Sequence, residues 1–345
     1  MSTALKPSIL IIYTGGTIGM ITEPLTRSLV PVDFNEISAQ LPELLRFDLN
    51  LSTYTFNPVV DSSNITPKFW IELAQVIGRE YLNYDGFVIL HGTDTMCYTA
   101  SALSFMLENL NKPVVFTGSQ LPIGVLRTDG KENLLTAIEI AAERKNNQPM
   151  VPEVCVFFQN KLYRGNRTSK HNAEYFNAFV SENYPPLAEA GISIHYNYGA
   201  IHYPVNQKQL KVHTLLNDQV AILKLFPGIR QDFVETFLAL PWLKGLVLET
   251  FGAGNATTAD WFIDLIRAAC DRGVIILNVT QCPAGAVNPG KYETSRLLHN
   301  AGVINGRDLT TEAAITKLMF LLGQVLYPDI VKENLNVSIS GEITI

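Results

Sequence analysis

Short apolar runs alternate with segments of helical period along the first half of the chain. The apolar runs include SILIIY, GFVILHG, PVVFTG and VCVFFQ, and the segments between them include PKFWIELAQVIGREYL, TASALSFMLENL and NLLTAIEIAAER. Strands that are apolar throughout and are separated by amphipathic helices are typical of a parallel sheet covered on both faces. The pattern therefore predicts an α/β fold built on a mostly parallel sheet.

The alternation lapses between about residues 185 and 215 and then resumes. The intervening stretch is rich in Pro, Gly, Asn and Tyr and has no sustained period. A chain of 345 residues also exceeds the size at which a single core usually stops growing. We predict a larger N-terminal catalytic domain over residues 1–190, a linker over 191–215 and a smaller C-terminal α/β domain over 216–345.

Charge and hydropathy narrow the class of partner. The net charge is -6, and we find no basic cluster that could neutralise a run of phosphates, which argues against nucleic acid. No apolar stretch approaches the roughly 20 residues that span a bilayer, which argues against a membrane partner. The run SILIIY leads into a glycine-rich turn instead of a cleavage site, so we expect no signal peptide.

The four cysteines are scattered along the chain. They lack C-x-x-C spacing and have no nearby pair of histidines that would complete a zinc site. They are Cys97, Cys155, Cys270 and Cys282. We predict buried free thiols, no metal and, in the absence of an export signal, a cytoplasmic location.

Polar loops follow the predicted strands. Ligands of parallel α/β sheets bind at the carboxyl ends of strands, so these loops are where chemistry is expected. They read TGGT, DSSN, HGTD, TGSQ and KLYRGNR.

The loop Thr14-Gly15-Gly16-Thr17 combines two glycines with two hydroxyls. Its glycines allow a sharp bend that exposes backbone N–H groups, which could hold a phosphate or a carbonyl oxygen. The phosphate-loop signature is absent, which argues against a nucleotide. A tight turn without chemistry is the other interpretation of this loop.

Thr93 and Asp94 lie between a buried strand and a helix that we expect to begin near Thr95. Both are typical helix caps, so capping competes with substrate contact. A loop of similar makeup, Asp61-Ser62-Ser63-Asn64, favours substrate contact. Hydroxyls can hold a carboxylate and an aspartate can pair with an ammonium, which together suit a small zwitterion.

A threonine hydroxyl is a weak nucleophile and needs a base nearby. Lys170 is the candidate, although most lysines are solvated surface residues. His91 is a weaker candidate, because it ends an apolar run and suits a core position equally well.

Four motifs together resemble the bacterial type I, cytoplasmic L-asparaginase family. They are TGGTIGM, VILHGTDTM, TGSQ and RGNRTSKHN, and the likeness extends through TFGAGN and NVTQC. The resemblance implies an amidohydrolase that converts L-asparagine to L-aspartate and ammonia, without a metal or organic cofactor. It also implies a homodimer or homotetramer.

The resemblance assigns roles to individual residues. It implies that Thr17 attacks the amide carbon to form a β-aspartyl ester, whereas Thr14 is structural. Thr93, Asp94 and Lys170 would form a second triad in which Thr93 activates either the nucleophile or the water. The segment Asp61, Ser62 and Ser63 would hold the α-carboxylate and α-amino groups, and Asp94 would also contact the ammonium.

Two departures from the family pattern lead to further expectations. A lid tyrosine usually closes over the nucleophile, but Leu29 stands near that position. Some members carry an allosteric asparagine site, which Thr250, Thr280 and Cys282 would match. Glu249 stands where those members place an arginine, so we predict weak or absent activation. A mixed asparaginase-glutaminase, an aminoacyl-tRNA amidase subunit and a non-catalytic amino-acid sensor are the alternatives.

Overall fold

Strands and helices alternate through the computed structural model of the chain. The structure describes residues 6–22, 29–31, 41–204, 208–288, 293–324 and 327–344. The chain forms two compact units, Met1–Thr214 and Leu215–Ile345.

The first unit contains sixteen strands and three α-helices among its described residues. The strands are β1 (Ser8–Tyr13), β2 (Met20–Thr22), β3 (Leu29–Pro31), β4 (Asn50–Thr55), β5 (Gly86–Leu90), β6 (Leu107–Glu108), β7 (Val114–Thr117), β8 (Arg144–Lys145), β9 (Gln148–Pro149), β10 (Val154–Phe158), β11 (Lys161–Arg164), β12 (Ser169–Lys170), β13 (Phe179–Val180), β14 (Ala188–Ala190), β15 (Ile194–Tyr196) and β16 (Lys211–Val212). The helices are α1 (Pro67–Glu80), α2 (Met96–Met106) and α3 (Gly130–Ala142).

Eight of these strands form one sheet in the order β15-β14-β11-β10-β7-β5-β1-β4. The neighbouring strands β4, β1, β5, β7 and β10 pair in parallel. Strands β11, β14 and β15 extend the sheet beyond β10 by antiparallel pairing. Strands β5, β7 and β10 are buried at every position, which explains why they are continuous apolar runs in the sequence. The predicted mostly parallel sheet is confirmed.

The helices cover this sheet with apolar faces. In α1, Pro67 occupies the first turn, where its missing N–H costs nothing. The buried residues of α1 recur at helical spacing and are Phe69, Trp70, Leu73, Ala74, Val76 and Ile77. Helix α2 is buried along most of its length, so its sequence is apolar on all sides.

The predicted linker over residues 191–215 differs from the structure. Strand β15 completes the edge of the eight-stranded sheet, and β16 pairs with β6, so both belong to the first unit. Strands of two or three residues at a sheet edge are too short to show a hydrophobic period. The units divide after Thr214, near the end of the predicted linker.

The second unit contains a four-stranded parallel sheet in the order β17-β18-β19-β20. Its strands are β17 (Val220–Lys224), β18 (Gly245–Thr250), β19 (Ile275–Thr280) and β20 (Ile304–Asn305). Its helices are α4 (Gln231–Leu238), α5 (Asp260–Asp271), α6 (Glu293–Asn300), α7 (Thr311–Gly323) and α8 (Pro328–Leu335). Helix α5 is followed by Gly273 at a φ of 94°. This left-handed conformation is the one that glycine commonly adopts just after the end of a helix.

A buried ion pair holds the last described residues of the second unit. The Lys317 ammonium on α7 lies 2.7 Å from the Glu342 carboxylate, and both side chains are inaccessible to solvent. Lys317 also donates to the carbonyl oxygens of Leu335 and Val337. Backbone N–H groups of Ile339 and Ser340 donate to Glu342, so both charges have several partners.

The four cysteines are free thiols. Cys97 and Cys155 are buried, Cys270 is partly buried and Cys282 is exposed, so the expectation of burial fails for Cys282. None of the helices that the structure describes is long and apolar enough to cross a membrane.

Candidate active site

The first loop of the site is tied to the neighbouring strand by Thr14. Both the backbone N–H and the hydroxyl of Thr14 donate to the carbonyl oxygen of Leu90, at 3.0 and 2.8 Å. Thr14 is fully buried, and its hydroxyl is occupied by this contact. Its position is that of a structural residue that fixes the end of β1 against the end of β5.

The glycine pair brings this loop against the loop that follows β5. Gly16 has a φ of 93°, and a Cβ atom built on it would lie only 2.5 Å from the backbone nitrogen of Gly92. A side chain at position 16 would therefore collide with the second loop. Thr17 and Thr93 each follow one of these two touching glycines, so the contact brings the loops of the two threonines together.

Thr17 begins a short 3-10 turn, Thr17–Gly19, and is partly exposed. Tyr13 holds the end of this turn, because its hydroxyl donates a 2.9 Å hydrogen bond to the carbonyl oxygen of Gly19. Burial raises the pKa of Tyr13 to about 12, so the hydroxyl remains a donor at neutral pH. No sequence motif marked Tyr13 as part of the site, although a tyrosine that ends an apolar strand signals a buried hydroxyl that needs a partner.

Lys170 meets Thr93 and Asp94 in the structure. Its ammonium donates to the Thr93 hydroxyl at 2.9 Å and to the Asp94 carboxylate at 2.6 Å. The Lys170 side chain is 18% exposed, whereas that of Asp94 is 65% exposed. Lys170 therefore bridges a buried hydroxyl and a solvated carboxylate, and it is not the freely solvated surface lysine of the competing interpretation.

The capping interpretation of Thr93 and Asp94 does not hold. Helix α2 begins at Met96 with Thr95 at the cap position, and no side chain caps its first turn. The Thr95 hydroxyl instead donates to the carbonyl oxygen of Ser62 at 2.7 Å, which joins the second loop to the third.

The third loop, Asp61 to Asn64, forms a 3-10 turn capped by Asp61. Its Oδ1 atom accepts from the backbone N–H and the hydroxyl of Ser63 at 2.8 and 2.7 Å. These hydrogen bonds, chiefly the backbone one, lower the pKa of Asp61 below its ordinary value. Ser62 is buried beside Gly92, since a Cβ on Gly92 would lie 2.5 Å from the Ser62 hydroxyl oxygen.

Gln120 is a further residue of the site to which the sequence assigned no role. The Thr93 hydroxyl lies 3.4 Å from its amide oxygen, and its amide nitrogen donates to the carbonyl oxygen of Tyr175. The Asp129 carboxylate accepts from the backbone N–H of Gln120 and so holds this loop. Its place directly after β7 in TGSQ is the signal that could have identified it.

His91 is not placed to act as a base. It is fully buried, with Nδ1 at 2.7 Å from the Gly92 carbonyl oxygen and Nε2 at 2.9 Å from the Thr99 hydroxyl. Burial lowers the pKa of His91 to about 4. Both ring nitrogens are already occupied, so His91 serves the frame of the site.

The resulting cluster contains two carboxylates, one ammonium and several hydroxyls. Such a set matches a small molecule that carries both an ammonium and a carboxylate. Within the described ranges, no group of three or more His, Cys, Asp or Glu side chains is arranged to hold a metal ion.

The sequence matches two domains of one known family over most of its length. Residues 8–202 match the domain described as Asparaginase, N-terminal, and residues 219–335 match the Glutaminase/Asparaginase C-terminal domain. The chain belongs to the asparaginase family.

Curated and solved asparaginases resemble the whole chain. L-asparaginase 1 of Escherichia coli K12 is 45% identical over 342 residues, which cover 98% of each sequence. The crystal structure of L-asparaginase I from Vibrio cholerae is similar with a TM-score of 0.89 and 42% identity, covering 99% of this chain and 100% of that one. The 60 kDa lysophospholipase of Mus musculus is 44% identical over 94% of this chain, which spans 60% of that protein.

The remaining candidates in this asparaginase chain lie in the second unit, at the ends of β18 and β19. The Thr250 hydroxyl is buried and donates to Asn278, and the Thr280 hydroxyl donates to the carbonyl oxygen of Gly252. The backbone N–H of Cys282 donates back to Thr280 at 3.0 Å. These three residues therefore share one small region, in which both hydroxyls have internal partners.

Glu249 already has partners near these candidates. One of its carboxylate oxygens accepts from the Thr311 hydroxyl at 2.6 Å, and the other lies 3.4 Å from the Lys224 ammonium.

The expectation about the lid concerns Leu29. Its backbone in β3 pairs with β2, but its side chain lies outside the described residues.

Proposed function

We propose that the chain hydrolyses L-asparagine to L-aspartate and ammonia through an acyl-enzyme intermediate on Thr17. The observation that carries this proposal is the Lys170 ammonium hydrogen-bonded to Thr93, in a loop that touches the loop of Thr17. A nucleophile, a base and a group between them are the parts that covalent amide hydrolysis needs.

In the first step the Thr17 hydroxyl oxygen attacks the side-chain amide carbon of asparagine. The hydroxyl proton passes to the leaving nitrogen, ammonia departs and a β-aspartyl ester remains. In the second step water attacks the ester, releasing aspartate and restoring the hydroxyl. Thr93 relays these protons: it accepts one from Thr17, or from the water in the second step, while its own proton passes to Lys170 in the neutral amine form, and the same relay returns a proton to the leaving group. In this role the hydrogen bond between Lys170 and Thr93 runs in the opposite direction to the one that the ammonium donates.

The negative oxygen that develops in both steps needs hydrogen-bond donors. Among the described residues, the backbone N–H groups of Thr17 and Thr93 donate to no other group. Both N–H groups follow the two touching glycines, Gly16 and Gly92. We assign them to the oxyanion.

Recognition of the substrate would use the third loop. Oδ2 of Asp61 has no hydrogen-bond partner in the described part of the chain, so it would accept from the substrate ammonium. The exposed Asp94 carboxylate would also contact that ammonium. The Ser62 hydroxyl would donate to the α-carboxylate, and the Ser63 hydroxyl would do so by turning away from Asp61. The proposed reaction uses neither a metal nor an organic cofactor.

Ammonia release from L-asparagine by the purified protein tests the proposal. We expect Thr17→Ala to abolish turnover while Thr53→Ala, which changes an exposed threonine of β4, leaves it intact. Turnover that survives Thr17→Ala would contradict the acyl-enzyme route. The same assay with L-glutamine measures the side activity, because one methylene changes binding by only about 1–3 kcal/mol.

The resemblance to type I members also supports a cytoplasmic homodimer or homotetramer as part of this proposal. Light scattering of the purified protein would measure the assembly.

A further inference from the structure

His91 links the interior of the first unit to the loop that carries Thr93. Its ring lies between the Gly92 carbonyl oxygen, 2.7 Å from Nδ1, and the Thr99 hydroxyl, 2.9 Å from Nε2. The indole N–H of Trp70 donates to the same Thr99 hydroxyl at 3.0 Å. Three buried side chains thus form one hydrogen-bonded chain that ends on the backbone of the site.

The direction of every hydrogen bond in this chain is fixed by its members. A carbonyl oxygen can only accept, so Nδ1 of His91 carries the proton. The indole nitrogen of Trp70 can only donate, so the Thr99 oxygen accepts from it. The Nε2 atom of a neutral imidazole then has to accept, and the Thr99 hydroxyl donates to it.

The end of this chain determines the orientation of one peptide group. In a trans peptide the C=O and N–H bonds point in opposite directions. Because the Gly92 carbonyl points at His91, the N–H of Thr93 in the same peptide points away from the buried ring. That N–H has no other partner among the described residues.

Close packing keeps both the ring and the peptide in place. The His91 ring packs edge-on against Phe116 at a centroid distance of 5.8 Å. A Cβ on Gly92 would lie 2.5 Å from the Ser62 hydroxyl oxygen, and a Cβ on Gly16 would lie 2.5 Å from the Gly92 nitrogen. These close contacts hold Gly92 in place, and His91 holds the carbonyl oxygen of the same residue.

We propose that His91 is a positioning residue that holds the Gly92–Thr93 peptide so that the Thr93 N–H is aimed at the oxyanion. This inference rests on the proposed function, because the oxyanion belongs to the acyl-enzyme route. His91 does not touch the substrate, and it acts through the peptide that it holds. A donor that is already oriented before reaction stabilises the transition state without a cost of reorganisation.

Two amide substitutions at position 91 separate this role from simple packing. Asparagine places an amide N–H close to the position of Nδ1 and can still donate to the Gly92 oxygen. Glutamine places its amide near the position of Nε2, next to Thr99, and leaves the Gly92 oxygen without its donor. Both replace an aromatic ring by a neutral amide, so each controls for the other.

Turnover of L-asparagine by His91→Asn and His91→Gln tests the proposal, with KM measured alongside kcat. We expect kcat to fall about tenfold or more in His91→Gln, with KM changed by less than about twofold, because one oxyanion donor is misaligned. We expect His91→Asn to recover most of that loss. Equal kcat values in the two variants, or a lower value in His91→Asn, would overturn the proposal.

Two further measurements keep these outcomes distinct. Circular dichroism and thermal melting identify a variant that fails to fold, and binding of L-aspartate by calorimetry shows whether the pocket is intact. If Thr17→Ala is fully active, the acyl-enzyme route itself fails. If Thr17→Ala is inactive and His91→Gln is as fast as the unmodified protein, only the role of His91 fails.

Discussion

The Lys170 ammonium donates a 2.9 Å hydrogen bond to the hydroxyl of Thr93, although 77 residues separate the two along the chain. Lys170 stands on β12, which pairs with β13, and Thr93 follows the central strand β5. This contact joins the loop after the parallel strand β5 to the segment that follows the antiparallel strand β11. It also makes Lys170 the first residue to test.

Replacing Lys170 by methionine keeps the length of the side chain and removes its basic nitrogen. We expect kcat to fall by about 100-fold or more, which is typical for the loss of an acid–base group. Ammonia release measures the effect. Lys161→Met is the matched control, because Lys161 is more exposed and lies 3.9 Å from Glu189. Full turnover in Lys170→Met would exclude this lysine from the reaction.

Two substitutions of Thr93 separate the contribution of its hydroxyl to turnover from that of its branched shape. Thr93→Val keeps the branched side chain but leaves the Lys170 ammonium without its buried acceptor, and Thr93→Ser retains the acceptor. We expect the valine variant to lose about 100-fold in kcat and the serine variant to lose much less. Similar rates for the two variants would show that the hydroxyl takes no part in turnover.

The buried His91 makes stability depend on pH. Burial lowers the pKa of His91 from the ordinary 6.5 to about 4, so between these values the unfolded chain binds a proton that the folded chain does not. The free energy of unfolding therefore falls as the pH is lowered through this window. Between about pH 7 and pH 4.5 we expect the unmodified protein to lose roughly 2–3 kcal/mol more than His91→Asn. Urea unfolding at both pH values measures this, and equal losses would argue against a neutral buried imidazole.

The ion pair between Lys317 and Glu342 predicts a large effect on stability. Lys317→Met leaves the Glu342 carboxylate buried without its counter-charge, which costs about 3–5 kcal/mol. Lys332→Met is the control, because its pair with Asp329 is exposed and such pairs contribute about 0–1 kcal/mol. Urea unfolding of the two variants compares them, and a loss in Lys317→Met as small as in the control would contradict the prediction.

Activation by asparagine is expected to be weak or absent. The resemblance to type I members implies that Glu249 stands where an activated member places an arginine, and Lys224 and Thr311 already contact its carboxylate. We expect a hyperbolic rate curve over a wide range of asparagine concentrations. A Hill coefficient well above one would show that a second site operates despite Glu249.

The hydrophobic pattern predicted the sheet because its central strands are buried on both faces. Ile9 to Tyr13 and Phe87 to Leu90 are apolar at every position, and that signal does not depend on distant residues. The hairpin strands β14 and β15 were missed, because Ala188–Ala190 and Ile194–Tyr196 are too short and too exposed to show alternation.

The candidate site was predictable where chemistry follows a strand. The loops of Thr17, Thr93 and Asp61 were identified by that rule. The alternative that Thr93 caps a helix came instead from its residue type. What decides against capping is that α2 begins one residue later, with Thr95 at the cap position. The partner of Thr93 is Lys170, which no local pattern connects to it. Gln120 escaped because its contact with Thr93 arises only when the ends of β5 and β7 meet. Tyr13 escaped because its hydroxyl meets Gly19 six residues away, through a turn whose shape the sequence does not reveal.

The contact between Tyr13 and Gly19 should couple the residues that these two positions accept. A Cβ atom on Gly19 would lie 2.1 Å from the Tyr13 hydroxyl oxygen, so the tyrosine occupies the space that any side chain at position 19 would need. Among natural variants of this chain, a larger residue at 19 should therefore occur together with a smaller one at 13. Either change alone would leave the turn of Thr17 pushed out of place or without its support.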